Sequence, residues 1–352
     1  MVAAVACLRR GAGRPARSAG LGHMRVTSLI GTCVLTLSSG CAPMGTLAGP
    51  IPTPVATRTI SQADRPTVPG QVTVIPFQYA QKPLPGLILI TAEVDGHRGT
   101  FLLDTGAPLI ILNEHYLQPS PSGGIDTVTN DRATNGRAAY DTNRGQPVSV
   151  HLLRIGTIQY QFGAGPFKIV GTSFKRNAII LHSDLQNARW HQYGRPVLGF
   201  IGLSALMPFE TIIDYVHQRL ILIRLDTVGH RLASVPAYIL KETVPLVPLA
   251  DSQHLGVRVR AGSLHEDFLL DTGAPDNELL LPSVQQLGVH LKPMPGWRTW
   301  TLDTMVVGGQ TYANVPNFQD SFFQSNILGY PFLSTVGTIG FNFRTRHLLW
   351  YH

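Results

Sequence analysis

Phe101-Leu102-Leu103-Asp104-Thr105-Gly106-Ala107-Pro108 recurs residue for residue as Phe268-Leu269-Leu270-Asp271-Thr272-Gly273-Ala274-Pro275. A repeat of this kind decides the architecture before any single residue is interpreted. The likeness continues on both sides. Upstream, residues 87–100 and 255–267 each read as an apolar-alternating run, a glycine turn (Asp95-Gly96; Ala261-Gly262) and a second short run. Further back, Val74-Ile75-Pro76 has a partner in Leu246-Val247-Pro248. Downstream, Phe200-Ile201-Gly202-Leu203 leads through Ile212-Ile213-Asp214-Tyr215 to Arg219-Leu220-Ile221-Leu222. Its counterpart runs from Ile327-Leu328-Gly329-Tyr330 through Thr338-Ile339-Gly340-Phe341 to His347-Leu348-Leu349-Trp350.

Each half therefore reads as a hairpin, Asp-Thr-Gly, a variable middle, apolar-apolar-Gly, a short helix and a final hairpin. The halves span 71–235 and 236–352. Short alternating runs punctuated by glycine predict an all-β protein of two homologous β-rich lobes, with few short helices, two of them near 184–190 and 282–287. The middle of the first half is longer: 98 residues separate Asp104 from Gly202, against 58 from Asp271 to Gly329. Most of the excess is the polar stretch 120–145, a candidate flap or lid.

An Asp presented on a strand-to-loop turn and followed by Thr and Gly holds a carboxylate in a fixed place. Gly106 and Gly273 permit close backbone approach, so that main-chain N–H groups can donate to the carboxylates. Thr105 and Thr272 carry hydroxyls able to lock the two turns to one another. Two carboxylates brought face to face do not both ionise; they share a proton and titrate as a pair. The ionised member takes a proton from a water, the protonated member donates to a carbonyl oxygen, and hydrolysis proceeds without metal or covalent intermediate.

These paired Asp-Thr-Gly-Ala motifs, each with a later apolar-apolar-Gly, resemble the aspartic peptidases, both pepsin-like and retropepsin-like. The resemblance covers residues 72–352. It implies a fold of two lobes around a substrate cleft, with Asp104 and Asp271 as the catalytic pair. It also implies that Thr105, Gly106, Thr272 and Gly273 shape the site, and that a polypeptide is the substrate. Ala107 and Ala274 stand where pepsins usually have Ser, as in the retroviral branch. The missing hydroxyl removes one hydrogen bond to an ionised carboxylate and predicts activity at mildly acidic to neutral pH. Leu203 and Tyr330 stand where the retroviral enzymes carry an Arg for dimer contacts, which fits a single-chain monomer. Asp276 is a third acid near Asp271, matched by Leu109 in the first half; it reads equally as a contact to substrate main chain or as a solvated loop acid. The resemblance also implies a flap tyrosine, for which Tyr140 in the long polar stretch is the candidate, with Trp297 or Trp300 to cap the other side. The alternative function is a catalytically silent peptide-binding or cell-envelope scaffold protein with the same fold.

Charge and cysteine usage narrow the remaining classes. The net charge of +7 comes largely from five arginines in the first 40 residues, which hold no acid. No polybasic run with interleaved aromatics follows, which argues against nucleic acid as a partner. All three cysteines, Cys7, Cys33 and Cys41, lie in the leader, so the folded part carries neither disulfide nor thiolate metal site. The 13 histidines show no zincin spacing, His182 and His191 included; Gly202-Leu203-Ser204-Ala205-Leu206 lacks the second glycine of a nucleophile elbow, and no loop has phosphate-cradle spacing. Neither metal nor cofactor is expected. Phe209 and Trp350 read as core. Residues 1–41 read as a secretory leader whose Ser38-Ser39-Gly40-Cys41 resembles a bacterial lipobox, with Leu37 one position early. That resemblance implies lipidation at Cys41, export to the cell envelope and a membrane anchor; the alternative is ordinary signal cleavage and a free, secreted protein. Met24 is an alternative start, and 42–70 reads as a flexible Pro/Thr/Gly tether.

Overall fold

The first hairpin shows how local chemistry sets the register. In this computed structural model the strands Ile88–Val94 and His97–Leu103 pair antiparallel from Leu89↔Leu102 to Val94↔His97. The two residues between them, Asp95 (φ 47°) and Gly96 (φ 87°), both adopt positive φ, as a tight turn matched to strand twist requires. The second half repeats this with Leu255–Ala261 and Leu264–Leu270. Its turn is Gly262-Ser263, one residue later than the sequence suggests, because Ala261 and Leu264 are themselves cross-strand partners. Residues 70–81, 86–119, 125–127, 146–163, 167–169, 172–181, 191–235, 238–250, 253–288, 291–293, 299–320 and 325–351 are described. The leader with Cys41, the tether up to residue 69, Tyr140, His182, Trp297, the helix expected at 184–190 and most of 120–145 lie outside them.

Among the described residues the protein is mostly β, with three short helices, Leu203–Leu206, Leu281–Leu287 and Tyr330–Val336. The second of these lies where a helix was expected at 282–287. A ten-stranded sheet is built only from the first half, and a thirteen-stranded sheet takes strands from both. In the larger sheet, where the two halves join, Phe209–Asp214 pairs antiparallel with Thr338–Asn342, bringing Ile212 opposite Gly340 and Ile213 opposite Ile339. Outward on one side lie Arg219–Arg224 and Val72–Pro76; outward on the other lie His347–Tyr351 and Leu240–Pro248. Six strands, three from each half, thus form one continuous ladder. Every residue of Phe209–Asp214 is buried, Glu210, Thr211 and Asp214 included, so its burial does not follow the alternation of a one-sided strand.

Within each half the strand that leads into Asp-Thr-Gly runs parallel to the strand that carries apolar-apolar-Gly. Leu102 and Leu103 lie opposite Phe200 and Ile201, and Leu269 and Leu270 opposite Ile327 and Leu328. Phe101 and Phe268, the first residues of the repeated octet, are fully buried beneath these pairs. Phe209 and Trp350 are buried as expected. A further hairpin in each half docks its tip on the opening strand of that half. The Gly156-Thr157 tip donates from Thr157 N–H to Thr73 Oγ1 at 3.0 Å, and the Gly308-Gly309 tip donates from Gly309 N–H to the Glu242 carboxylate at 2.5 Å.

Candidate active site

Both Asp-Thr-Gly turns begin where a buried strand ends and its parallel neighbour holds the next amide. Asp104 N–H donates to Ile201 O at 3.1 Å, and Asp271 N–H to Leu328 O at 3.0 Å. Each turn then closes on itself, Ala107 N–H to Asp104 O and Ala274 N–H to Asp271 O. The following residues are fastened beneath by the apolar-apolar-Gly element: Leu203 N–H reaches Ala107 O at 2.8 Å and Tyr330 N–H reaches Ala274 O at 2.9 Å. Glycine is required at that element. A Cβ on Gly202 would lie 2.1 Å from Leu109 O, and one on Gly329 would lie 2.2 Å from Asp276 O.

The two turns meet. Thr105 N–H donates to Thr272 Oγ1 and Thr272 N–H to Thr105 Oγ1, both at 3.0 Å. Each hydroxyl then donates across to the strand before the other Asp, Thr105 to Leu270 O at 2.7 Å and Thr272 to Leu103 O at 2.9 Å. Four hydrogen bonds, all buried, therefore cross between the halves at this one point.

The carboxylates of Asp104 and Asp271 face one another over this lock, with 0% and 1% of each residue exposed. Gly106 N–H donates to Asp104 Oδ1 at 2.9 Å and also to Asp271 Oδ1 at 3.2 Å; Gly273 N–H donates to Asp271 Oδ1 at 2.7 Å. A Cβ on Gly106 would lie 2.4 Å from the Asp271 carboxyl carbon, and one on Gly273 would lie 2.6 Å from that of Asp104. Each glycine thus makes room for the carboxylate of the opposite half. The two Oδ2 atoms receive no N–H or O–H donor among the described residues. Burial, then the negative charge of Asp271 beside it, pushes the Asp104 carboxyl well above the usual carboxylate range, against the Gly106 hydrogen bond. Burial and mutual repulsion disfavour ionising both acids of so close a pair at once.

The sites around the dyad differ. Asp276 is half-buried and is pushed up to about 6 by desolvation; Gln319 Nε2 donates to it at 3.4 Å. That desolvation does not suit the solvated loop acid considered from sequence. Leu109, at the matching place, is 5% exposed. Trp300 is half-buried, packed against the core with Phe318 as its cross-strand partner. Tyr330 joins Tyr79 and Tyr215, at ring-centroid distances of 5.5 and 6.4 Å, and its ring lies so close to Gly86 that a Cβ there would be 2.4 Å away. Leu203, its counterpart, is simply core.

Three polar residues escaped the sequence reading. Ser204 Oγ accepts from Ile110 N–H at 2.9 Å and donates to Asn177 O at 2.7 Å; Asn277 Oδ1 accepts from Gly329 N–H at 2.9 Å. Ser204 and Asn277 each tie an Asp-Thr-Gly turn to its apolar-apolar-Gly element. Their only sequence signal is distance, Asn277 six residues past Asp271 and Ser204 two past Gly202. Among the described residues no cluster of three or more His, Cys, Asp or Glu side chains is placed to hold a metal ion. No family model matches the chain, and no curated protein is similar enough to match it.

Proposed function

We propose that this chain is a two-lobed aspartic endopeptidase that hydrolyses peptide bonds with a water activated between Asp104 and Asp271. The observation that carries the reading is the reciprocal arrangement of the two acids: each is buried, each is cradled by the glycine of its own turn and packed on that of the other, and each keeps one oxygen without a fixed donor.

The raised Asp104 supplies the proton, and Asp271, held by two glycine N–H groups, is the base. Water between them loses a proton to Asp271 as its oxygen bonds to the scissile carbonyl carbon. Asp104 gives its proton to the carbonyl oxygen, leaving a neutral tetrahedral diol. The proton on Asp271 then passes to the amide nitrogen, the C–N bond breaks, and a diol hydroxyl returns a proton to Asp104. The lock of Thr105 and Thr272 keeps the carboxylates in register, and burial strengthens each electrostatic contact. The same reading includes export and a lipid anchor at Cys41. Mass measurement of the protein purified from membranes tests the anchor by the mass of the acyl groups.

Cleavage of a diverse peptide pool by the purified protein, beside Asp104→Asn and Asp271→Asn, tests the reaction. Cleavage lost in both variants is the expected result. Tight peptide binding without turnover in the unaltered, folded protein would instead make this a peptide-binding protein.

A further inference from the structure

Asn177 lies outside the dyad and its lock, yet it stands where three pieces of the first half meet. It immediately precedes Ala178–Leu181, a strand that pairs parallel with Ile110–Asn113 and antiparallel with Gln146–Val148. Ala178 faces Ile110 on one side and Val148 on the other. Beyond the end of Gln146–Val148 the Asn177 side chain takes over as strand partner. Its Nδ2 donates to Val150 O at 2.8 Å and its Oδ1 accepts from Val150 N–H at 2.9 Å. Its main-chain carbonyl faces the other way and accepts from Ser204 Oγ at 2.7 Å and Ile110 N–H at 3.3 Å.

From Ser204 the chain of bonds leads to the catalytic turn. Ser204 N–H donates to Pro108 O, Leu203 N–H to Ala107 O, and Ala107 N–H to Asp104 O. Asn177, Ser204 and Val150 are all buried, so each of these groups depends on the others for a hydrogen bond. The second half makes the corresponding junction differently: Asn277 itself spans from Gly329 N–H to Pro316 O at 2.8 Å. We propose that Asn177 is a positioning residue for Asp104, tying the segment that enters at Val150 to the turn that presents the carboxylate. The kinetic consequence rests on the peptidase reading; the structural coupling does not.

The test uses Asn177→Ala and the milder Asn177→Gln, which keeps the amide donor and acceptor on an arm one methylene longer. Amide hydrogen exchange is read at Val150, Ala107, Ile110, Gly106, Gly273 and Gly329, together with peptide cleavage. The expected result for Asn177→Ala is roughly tenfold faster exchange at Val150, Ala107, Ile110 and Gly106, with Gly273 and Gly329 unchanged. With it, kcat falls by about tenfold or more while KM stays within about twofold. Asn177→Gln shows the same pattern with smaller changes and carries the comparison if the alanine variant fails to fold. Faster exchange confined to Val150, or spread equally over both halves, overturns the proposal. If the unaltered protein cleaves no peptide, the exchange pattern still decides the coupling and only the peptidase reading falls.

Discussion

The turns at Asp104 and Asp271 begin from the same eight residues and part company within six positions. Along the repeated octet the strand carbonyl that accepts the Asp amide, the closure by alanine and the threonine lock each have a twin, whereas Gly106 N–H to Asp271 and Ser204 N–H to Pro108 O do not among the described residues. Beyond it the polar side chain that fastens each turn has changed owner. In the first half Ser204, on the apolar-apolar-Gly side, reaches Ile110 N–H; in the second Asn277, on the turn side, reaches Gly329 N–H. The residues at the exchanged positions, Ile110 and Pro331, have no side chain that could do this. The fold therefore demands that the junction be bridged and is indifferent to which strand supplies the bridge. Where two chains of contact meet at the dyad, by contrast, no exchange is tolerated, because Thr105 and Thr272 each serve as donor and acceptor to the other.

The strongest way to break this comparison is at the acids. Asp104→Asn and Asp271→Asn are each expected to reduce kcat/KM for peptide cleavage by about 10³-fold, a size typical of losing a positioned general acid or base. A variant that keeps full activity would remove the dyad as the active site. Asp104→Asn also carries a stability sign. A carboxyl whose folded pKa is raised contributes most below its unfolded value near 4 and loses that contribution as pH rises through its folded value. The Asn variant is therefore expected to be more stable than the unaltered protein at neutral pH, with the advantage disappearing below about pH 4. Paired thermal melts at the two pH values check this.

Next come the glycines under each turn. Gly202→Ala and Gly329→Ala force a methyl to within 2.1 and 2.2 Å of a backbone oxygen, which cannot rotate away. Each is expected to cost about 3 kcal/mol or more in denaturant unfolding. Equal losses sharpen the symmetry, and a harmless substitution in either half breaks it. Thr105→Val and Thr272→Val should follow at about 2 kcal/mol each, since each leaves a buried N–H and a buried carbonyl without a partner. A double variant costing less than the sum of the two is the expected sign of one shared lock.

The smallest effect concerns the difference between Leu109 and Asp276. The Asp276 carboxyl, pushed up to about 6 by burial, contributes stability that is complete below about pH 4 and fades as pH rises through about 6. Asp276→Asn should flatten the stability profile across that window by about 1–2 kcal/mol, while Leu109→Ala leaves the profile's shape unchanged. Melting curves at closely spaced pH values distinguish them.

Much of this was readable beforehand, for identifiable reasons. The repeated octet, the alternation of residues 87–100 and the glycine turns are local signals, and the hairpins, the apolar-apolar-Gly strands and the helix Leu281–Leu287 follow them. The pairing of Ile212 with Gly340 was not readable, because nothing within either strand names a partner more than a hundred residues away. The bridges Ser204, Asn177 and Asn277 were missed because small polar residues between short strands look like turn formers until burial shows otherwise. Asp276 was left open between a substrate contact and a solvated loop acid, because a Pro-Asp-Asn stretch does not itself show how far the carboxyl is desolvated.

The threonine lock has a consequence for the timing of synthesis. Thr105 and the residue it grips, Thr272, are 167 positions apart, so the first turn is made long before its partner exists. At ordinary elongation rates the interval is roughly ten to thirty seconds. Throughout it the Thr105 hydroxyl lacks the Leu270 carbonyl and the Asp104 carboxyl lacks Gly273 to lie against. A ribosome can therefore expose the whole first half before the two carboxylates meet; the paired site comes into being only when the last third of the chain has emerged and folded onto it.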